Sequence, residues 1–209
     1  MQSSEKRVVA IAGIVYLVGL SGLLYPETRT QVIHLTPINL FLSLLVPLIF
    51  QKKWSAGLFA GLICAGLCGF FIEYAGVHTG LIFGNYHYGK TLGPGWEGIP
   101  YMIGLNWSML IFYVTATLAG RLRNAWLTSI AGACMMTFYD FIMEPAAVKM
   151  GMWYWKGGII PMQNYLAWFV CSFVLIRLYL LMTKPEKNAI ATSLLIIQLL
   201  FFTAIHLWF

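Results

Sequence analysis

Two acidic residues, Asp140 and Glu144, stand four positions apart inside a long apolar stretch of this chain. On a helix, that spacing puts both carboxyl groups on one face, one turn apart. An apolar environment disfavours the charged form of an acid, and two neighbouring carboxylates disfavour double ionisation, so such a pair can hold a proton at neutral pH. Asp140 and Glu144 are therefore candidates for a general acid that works without a metal.

A third acid, Glu73, opens the stretch "EYAGVHTGLIFGNYHYG" at residues 73–89, which follows a second apolar run. The stretch also contains two histidines, His78 and His87. Because a histidine side chain changes its charge near neutral pH, either ring could orient a water molecule or carry a proton. Each is also compatible with a purely structural place at the membrane surface.

Further polar groups lie on either side of these acids. Asn85 and Tyr86 belong to the same stretch as Glu73, and Asn106 and Asn164 lie just inside the two apolar segments that follow the polar stretches. An asparagine here could hold a water molecule or fix a carboxylate, and it could equally serve as a hydrogen-bonding contact between helices. We treat all four residues as candidates for positioning substrate or water.

Aromatic side chains are concentrated in the same two regions, and Trp153 and Trp155 are the candidates nearest to the acid pair. A ring face attracts a cation by up to roughly 2 kcal/mol when water is excluded, so such rings could stabilise a carbocation. The alternative is an aromatic belt at the membrane interface. The rings concerned are Tyr86, Tyr88, Trp96, Trp153, Tyr154 and Trp155.

The elements that must position these residues are membrane-spanning helices. Of the 209 residues, 60% are hydrophobic and 10% charged, and the mean hydropathy is +0.77. A crossing of the hydrocarbon core needs about 20 apolar residues. Such segments predict seven helices in one integral membrane domain, residues 1–209, with an all-α polytopic bundle as the fold class. The predicted spans are 8–25, 32–50, 54–73, 100–119, 124–143, 161–182 and 189–208.

The distribution of lysine and arginine predicts the orientation of these spans. Nine of the thirteen basic residues fall on one side and four on the other, and cytoplasmic loops carry the excess of positive charge. We therefore expect a cytoplasmic N-terminus in a multi-pass protein surrounded by membrane lipid, in the bacterial cytoplasmic membrane. The net charge of +6 follows from this topology and does not indicate nucleic acid.

An internal repeat relates the two polar regions. "EYAGVHTG" at 73–80 and "EPAAVKMG" at 144–151 share Glu, Val and Gly at the same spacing. In each unit an Ile-Pro pair then begins the next span, and a tryptophan, Trp107 or Trp168, follows seven residues after the proline. This pattern indicates a duplication of helices 3–4 and 5–6 about an axis along the membrane normal. The acids of both units should then lie toward the same outer face, where they can meet.

Several chemistries are not supported by the residues present. The seventh span has no lysine for a retinal Schiff base, four histidines are too few for a membrane di-iron oxygenase, and the single acid cluster "DFIME" does not suit a Mg²⁺-dependent prenyltransferase. Phosphate-binding loops and nucleophilic serine motifs are also missing. We expect no metal and no cofactor, and acid–base chemistry on a lipid-soluble substrate.

The segments "EYAGVHTGLIFGNYHYGKTLGPGWEGIPYMIGLNW", "DFIMEPAAVKMGMWYW" and "IIPMQNYLAW" resemble the carotenoid biosynthesis membrane protein family, which includes the CruF-type carotenoid 1′,2′-hydratases and the bisanhydrobacterioruberin hydratases. The resemblance covers about residues 70–170. The chain departs from the family pattern in "IIP" and "NYLAW", where larger residues replace two glycines, and this departure affects the expected shape of the pocket.

The resemblance implies a hydrophobic carotenoid substrate and the addition of water across the terminal double bond of an acyclic end, without a cofactor. In this interpretation Asp140 is the general acid, sharing its proton with Glu144, and Glu73 is the base that activates water; the acid and base labels are interchangeable at this stage. Two other functions remain open. A carotenoid or terpenoid cyclase would also protonate an alkene, and a lipid-binding or proton-coupled transport protein would use the acids without chemistry.

Overall fold

The fold is seen in a computed structural model that describes residues 1–208. Eight helices dominate these residues, with four short strands between them. The helices are α1 (Ser3–Leu24), α2 (Pro26–His34), α3 (Thr36–Ile49), α4 (Ala56–Thr79), α5 (Tyr101–Leu118), α6 (Ala125–Lys149), α7 (Met162–Met182) and α8 (Ala189–Trp208). The strands are β1 (Tyr86–Tyr88), β2 (Gly95–Trp96), β3 (Ile99–Pro100) and β4 (Trp153–Trp155).

Six of the helices, α1 and α4 to α8, are long and apolar enough to cross a membrane. The predicted span 32–50 differs, because the structure divides it between α2 and α3, which meet at an angle of 51°. Pro37 lies in the first turn of α3. Proline has no backbone N–H and its ring clashes with the preceding turn, so a helix cannot run through it undistorted. The all-α polytopic bundle is confirmed, with six spans, or seven if the bent pair is one crossing.

Two predicted spans are longer than the apolar pattern indicates. The spans expected to end at 73 and 143 continue as helix to Thr79 and Lys149. Glu73 and Glu144 therefore lie inside helices and not at the start of loops, and both are buried. In both helices the apolar run ends at or just before a buried glutamate, although the helix itself continues. Hydropathy alone therefore placed both helix ends too early.

The four helices α4, α5, α6 and α7 form a ring, in which each packs on the next and α7 closes against α4. Helices α3 and α8 pack on the outside of α5, and α1 packs on α8. Ten consecutive residues of α5, 107–116, are buried. A helix that is apolar and buried all round occupies the centre of a bundle, so α5 is the central helix.

A two-stranded ribbon connects the two repeat units across one end of the ring. Strands β1 and β4 pair antiparallel, with Tyr86 opposite Trp155 and Tyr88 opposite Trp153. Side chains alternate between the two faces of a strand. The ribbon therefore presents these four rings on one face, and the central pair, His87 and Tyr154, on the other.

The ribbon also supports the repeat inferred from the sequence. One unit is α4–β1–α5 and the other is α6–β4–α7, and the strands at equivalent places in the two units pair with each other. A two-fold axis along the membrane normal turns one strand into an antiparallel partner, and it brings the ends of α4 and α6 to the same side. Equivalent residues of the two units thus face each other beneath the ribbon.

Candidate active site

Glu73 on α4 is 4% exposed and is surrounded by hydrogen-bond donors. Its Oε2 accepts hydrogen bonds from the hydroxyl groups of Tyr86 and, at 2.8 Å, Tyr88. Its Oε1 accepts one from the indole Nε1 of Trp107, at 3.2 Å. Both carboxyl oxygens of Glu73 therefore accept hydrogen bonds in this structure.

Glu144 on α6 has the equivalent environment in the second unit. Its Oε2 accepts hydrogen bonds from the indole nitrogens of Trp153 and Trp155, at 3.0 and 2.8 Å. Its Oε1 lies 3.4 Å from the amide nitrogen of Asn164, which donates to it. In both units a glutamate inside a spanning helix is held by two aromatic donors that lie two residues apart on a strand.

Asp140 differs from both glutamates because one of its oxygens has no partner. Its side chain is fully buried, and Oδ2 accepts a hydrogen bond of 2.7 Å from the Asn164 amide. Oδ1 is buried without a hydrogen-bond partner among the described residues. A buried carboxylate oxygen without a partner is costly, and either a proton on that oxygen or a water molecule beside it removes the cost. Asp140 is thus the one acid of the three that has a carboxyl oxygen without a hydrogen-bond partner among the described residues.

This acid has no counterpart in the first unit. Counting back from the equivalent glutamates, Gly69 occupies the position of Asp140, and counting from the equivalent prolines, Ile103 occupies that of Asn164. A Cβ atom at Gly69 would lie 2.3 Å from Cγ of Trp107, so the first unit needs the glycine to seat this tryptophan. The scaffold is two-fold, but its third acid belongs to one unit only.

The three acids line one cavity under the ribbon. The space open to a water-sized sphere is about 20 Å³, which is enough for a single water molecule. The walls contain residues from all four helices of the ring and from both strands of the ribbon. Within residues 1–208, no group of three or more histidine, cysteine or acidic side chains is arranged to hold a metal ion.

Most of the site residues expected from the sequence lie at this cavity, and three do not. The residues that line it are Glu73, Tyr86, Asn106, Asp140, Glu144, Trp153, Trp155 and Asn164. His78 is exposed, and its Nδ1 hydrogen-bonds to the carbonyl oxygen of Tyr74 in the preceding turn. His87 lies on the outer face of the ribbon, and the side chain of Asn85 is exposed just before β1. These three side chains do not reach the cavity, so the structure does not support a role for them in holding its water.

Two residues that line the cavity, Trp107 and Trp168, are not among the site candidates expected from the sequence, and Tyr88 was expected only as one of several aromatic rings near the acids. Trp107 and Trp168 stack with ring centroids 4.5 Å apart. Their equal spacing from the two prolines was the signal that pointed to them, although it was used only to define the repeat. Tyr88 is two residues from Tyr86, and residues at that spacing share a strand face.

The two tyrosines of β1, Tyr86 and Tyr88, are neutral donors. Burial raises the pKa of Tyr86 and of Tyr88 well above the ordinary tyrosine value, and the nearby Glu73 carboxylate raises both further. A tyrosine with a raised pKa keeps its proton at neutral and moderately alkaline pH. The hydrogen bonds from Tyr86 and Tyr88 to Glu73 are therefore maintained over the physiological range.

Together, the fold and the site define an integral multi-pass membrane protein with a buried acid cavity near one end of its helix ring. The model of the carotenoid biosynthesis protein family matches residues 33–209, and the chain belongs to that family. The match extends beyond the 70–170 region that carries the sequence resemblance and includes the last helix.

A named relative is the bisanhydrobacterioruberin hydratase of Haloarcula japonica. It is 27% identical over 141 residues, which is 64% of this chain and 46% of the relative. The chain thus matches about half the length of that protein. No solved structure matches the chain.

Proposed function

We propose that this protein is a carotenoid hydratase, which adds water across the terminal C1′,2′ double bond of an acyclic carotenoid end. The observation that carries the proposal is the unpartnered Oδ1 of Asp140, in a cavity where Glu73 and Glu144 are held as acceptors. Membership of the carotenoid biosynthesis family and the name of the relative support this substrate class and this reaction.

Asp140 is the proposed general acid. The O–H bond of its carboxyl group breaks as the proton adds to C2′, the less substituted alkene carbon, and the electrons of the double bond form the new C–H bond. A tertiary cation then remains at C1′. Asn164, which donates to both Asp140 and Glu144, holds the two acids in place and stabilises the negative charge that appears on Asp140.

The cation at C1′ is then captured by water. A lone pair of the water oxygen forms the new C–O bond, and one water proton passes to the proposed base, Glu73. The indole rings of Trp107, Trp168 and Trp155 line the same cavity, and aromatic rings attract a cation. Return of the proton from Glu73 to Asp140 resets the site. The sum is alkene plus water to tertiary alcohol, with no change of oxidation state overall and hence no redox cofactor.

The size of the cavity has a consequence for substrate binding. A space of about 20 Å³ accommodates one water molecule but not a branched isoprenoid end. The ring of Tyr86 packs on that of Trp155, with centroids 4.9 Å apart, at the place where the ribbon covers the site. We propose that these rings move apart when the carotenoid end binds, and that the protein works in the bacterial cytoplasmic membrane with the ribbon at its outer side.

The decisive experiment is expression in a bacterial strain that accumulates lycopene, followed by mass analysis of its pigments. A product heavier by one water molecule is the expected result. A product of unchanged mass with cyclised ends would instead establish a cyclase. Unchanged pigments, together with uptake that depends on the proton gradient, would point to a transport protein.

The proposed acid is tested in the same strain by Asp140→Asn. This change keeps the shape of the side chain and its acceptor for Asn164 but removes the carboxyl proton. Retention of near-normal product by this variant and by Glu73→Gln would rule out the assigned roles.

A further inference from the structure

Three buried side-chain atoms in the described part of the chain lack a hydrogen-bond partner: Thr137 Oγ1, Asp140 Oδ1 and Ser172 Oγ. All three belong to the neighbouring helices α6 and α7. Buried polar groups in proteins are nearly always paired, and where no protein partner exists an ordered water molecule commonly takes its place. Because all three lie on one helix pair, the missing partners indicate a shared feature of the α6–α7 interface.

The three oxygens follow one interface. Near the site, the hydrogen bond from Asn164 to Asp140 aligns α6 with α7. Nearer the inner side, Ile176 packs closely on Gly132, where an added Cβ atom would lie 2.7 Å from Cδ1 of Ile176. Thr137 and Ser172 lie between these two contacts in the chain. At 1.5 Å per residue, Thr137 is about 4.5 Å inward of Asp140 along α6.

On α7, the same rise places Ser172 about 12 Å inward of Asn164. The Ser172 side chain is fully buried. Its position, between Trp168 at the cavity and Ile176 at Gly132, places it in the α6–α7 contact. Thr137 and Ser172 thus place two unpartnered oxygens inward of the cavity, beyond the residues that line it.

Their hydroxyl groups behave differently from those of other helical serine and threonine residues here. Thr115, Ser129 and Thr203 each donate to the carbonyl oxygen four residues earlier, at 2.7 to 2.9 Å. In a membrane this local bond is the usual way to satisfy a hydroxyl group. Thr137 and Ser172 do not make it, so their hydroxyl groups remain available to another partner.

We propose that Thr137 and Ser172 hold a line of internal water between α6 and α7, and that this line supplies the water consumed at the Asp140 cavity. The proposal rests on the hydratase function proposed above. Each turnover consumes one water molecule, while the cavity holds about one, so the site must be refilled from a neighbouring polar space. An apolar polyene could not satisfy the two hydroxyl groups, which makes water the appropriate occupant. Ile176, seated against Gly132, closes the line on its inner side.

The test uses the full-length protein in vesicles loaded with lycopene and suspended in D₂O. Protonation places deuterium on the alkene carbon, and the cation then either gains water to give the alcohol or loses a hydron from the same carbon to re-form the alkene. Deuterium in recovered lycopene therefore counts cations that met no water. Thr137→Val and Ser172→Ala should each lower the ratio of alcohol to deuterated lycopene about fivefold, roughly the worth of one neutral hydrogen bond.

Ser129→Ala is the matched control, because its hydroxyl group lies on α6 but already has a partner, and its ratio should equal that of the wild type. An unchanged ratio in Thr137→Val and Ser172→Ala would overturn the water line while leaving the hydratase intact. Wild-type protein that yields neither alcohol nor deuterated lycopene would contradict the hydratase itself.

A second measurement does not depend on activity. A density map that resolves ordered water should show water within hydrogen-bond distance of Thr137 Oγ1 and Ser172 Oγ. Dry hydroxyl groups in such a map would overturn the proposal whatever the assay gave.

Discussion

Trp107 and Trp168 stack face to face at the cavity, with ring centroids 4.5 Å apart and planes inclined by 15°. Each is the seventh residue after the proline that precedes its helix, so the contact joins equivalent positions of the two repeat units. The two-fold relation of the units thus passes through the site itself. Around this pair the units match in their glutamates and differ in the third acid, Asp140.

Replacing Asp140 by Asn should reduce product formation by at least about 10²-fold, because general acid catalysis contributes that much or more. The isosteric amide preserves the packing, so the protein should still accumulate in the membrane. Pigment mass analysis measures the effect. Glu97→Gln is the control, since Glu97 is an exposed acid between β2 and β3. Equal losses in both variants would contradict a specific role for Asp140.

Removing one donor to Glu73 should impair the reaction without unfolding the protein. Tyr88→Phe deletes the 2.8 Å hydrogen bond to Glu73 Oε2, and a hydrogen bond to a charged group contributes about 1.5–3 kcal/mol. The rate of product formation should fall by about tenfold or more. Tyr154→Phe removes a hydroxyl group from the outer face of the same ribbon and should leave the rate unchanged; a similar loss there would indicate a general effect on the ribbon.

Tyr86 and Tyr88 on β1 should make the protein sensitive to alkaline pH. Burial, and then the charge of Glu73, raise the pKa of Tyr86 and Tyr88 in the folded protein above the unfolded value of about 10. Their contribution to stability is complete below that pH and is lost as the pH rises through the folded pKa values. Thermal unfolding followed against pH should show a steeper alkaline loss in the wild type than in the Tyr86→Phe/Tyr88→Phe double variant. Identical curves would show that Tyr86 and Tyr88 do not contribute to the loss of stability at alkaline pH.

Gly69→Ala should destabilise the fold, because the new methyl group would lie 2.3 Å from Cγ of Trp107. Overpacking of this kind costs about 1–3 kcal/mol and would also displace the indole that donates to Glu73. Gly13→Ala on α1 is the control, with nothing within 4 Å of the added atom, and it should be neutral or slightly stabilising. Thermal unfolding in detergent compares the two. A larger loss at Gly13 would be contrary to this prediction.

The bent pair α2–α3 should cross the membrane as one broken span. Asn188 at the start of α8 donates to the carbonyl oxygen of Pro47, at 2.8 Å, and Lys149 at the end of α6 donates to that of His206, at 3.1 Å. The end of α3 is thus level with the start of α8, on the side opposite to the ribbon. Reporter fusions should find the two termini on opposite sides of the membrane. Termini on the same side would mean six crossings, and a reporter inserted at Gly157 checks the outer side independently.

The helical nature of the fold and six of the seven predicted spans could be predicted from the sequence, because each crossing needs its own continuous apolar run. The ends of α4 and α6 could not. Hydropathy reports where lipid-facing residues stop, while a helix stops where its backbone hydrogen bonds stop, six residues later in both cases. The break at Pro37 was present in the sequence as a proline but was hidden inside an apolar run.

The site was predictable to the extent that it follows from the repeat. Matching Glu73 to Glu144 put both acids toward one face, and the structure places them at one cavity. His78 and His87 were chosen for their chemistry alone. The strand that turns His87 outward also turns Tyr88 inward, and three residues are too few for an alternating pattern to be recognised in a sequence.

Residue types and spacing by themselves determined that this is a multi-pass helical protein with acids in its apolar segments and two related halves, because those properties depend on local composition and on comparison along the chain. Only the tertiary structure decided which oxygen of which acid lacks a partner. Hydrogen-bond partners such as Trp107 for Glu73, Trp155 for Glu144 and Asn164 for Asp140 are up to 34 residues away in the chain, and their geometry depends on how four helices pack around one cavity.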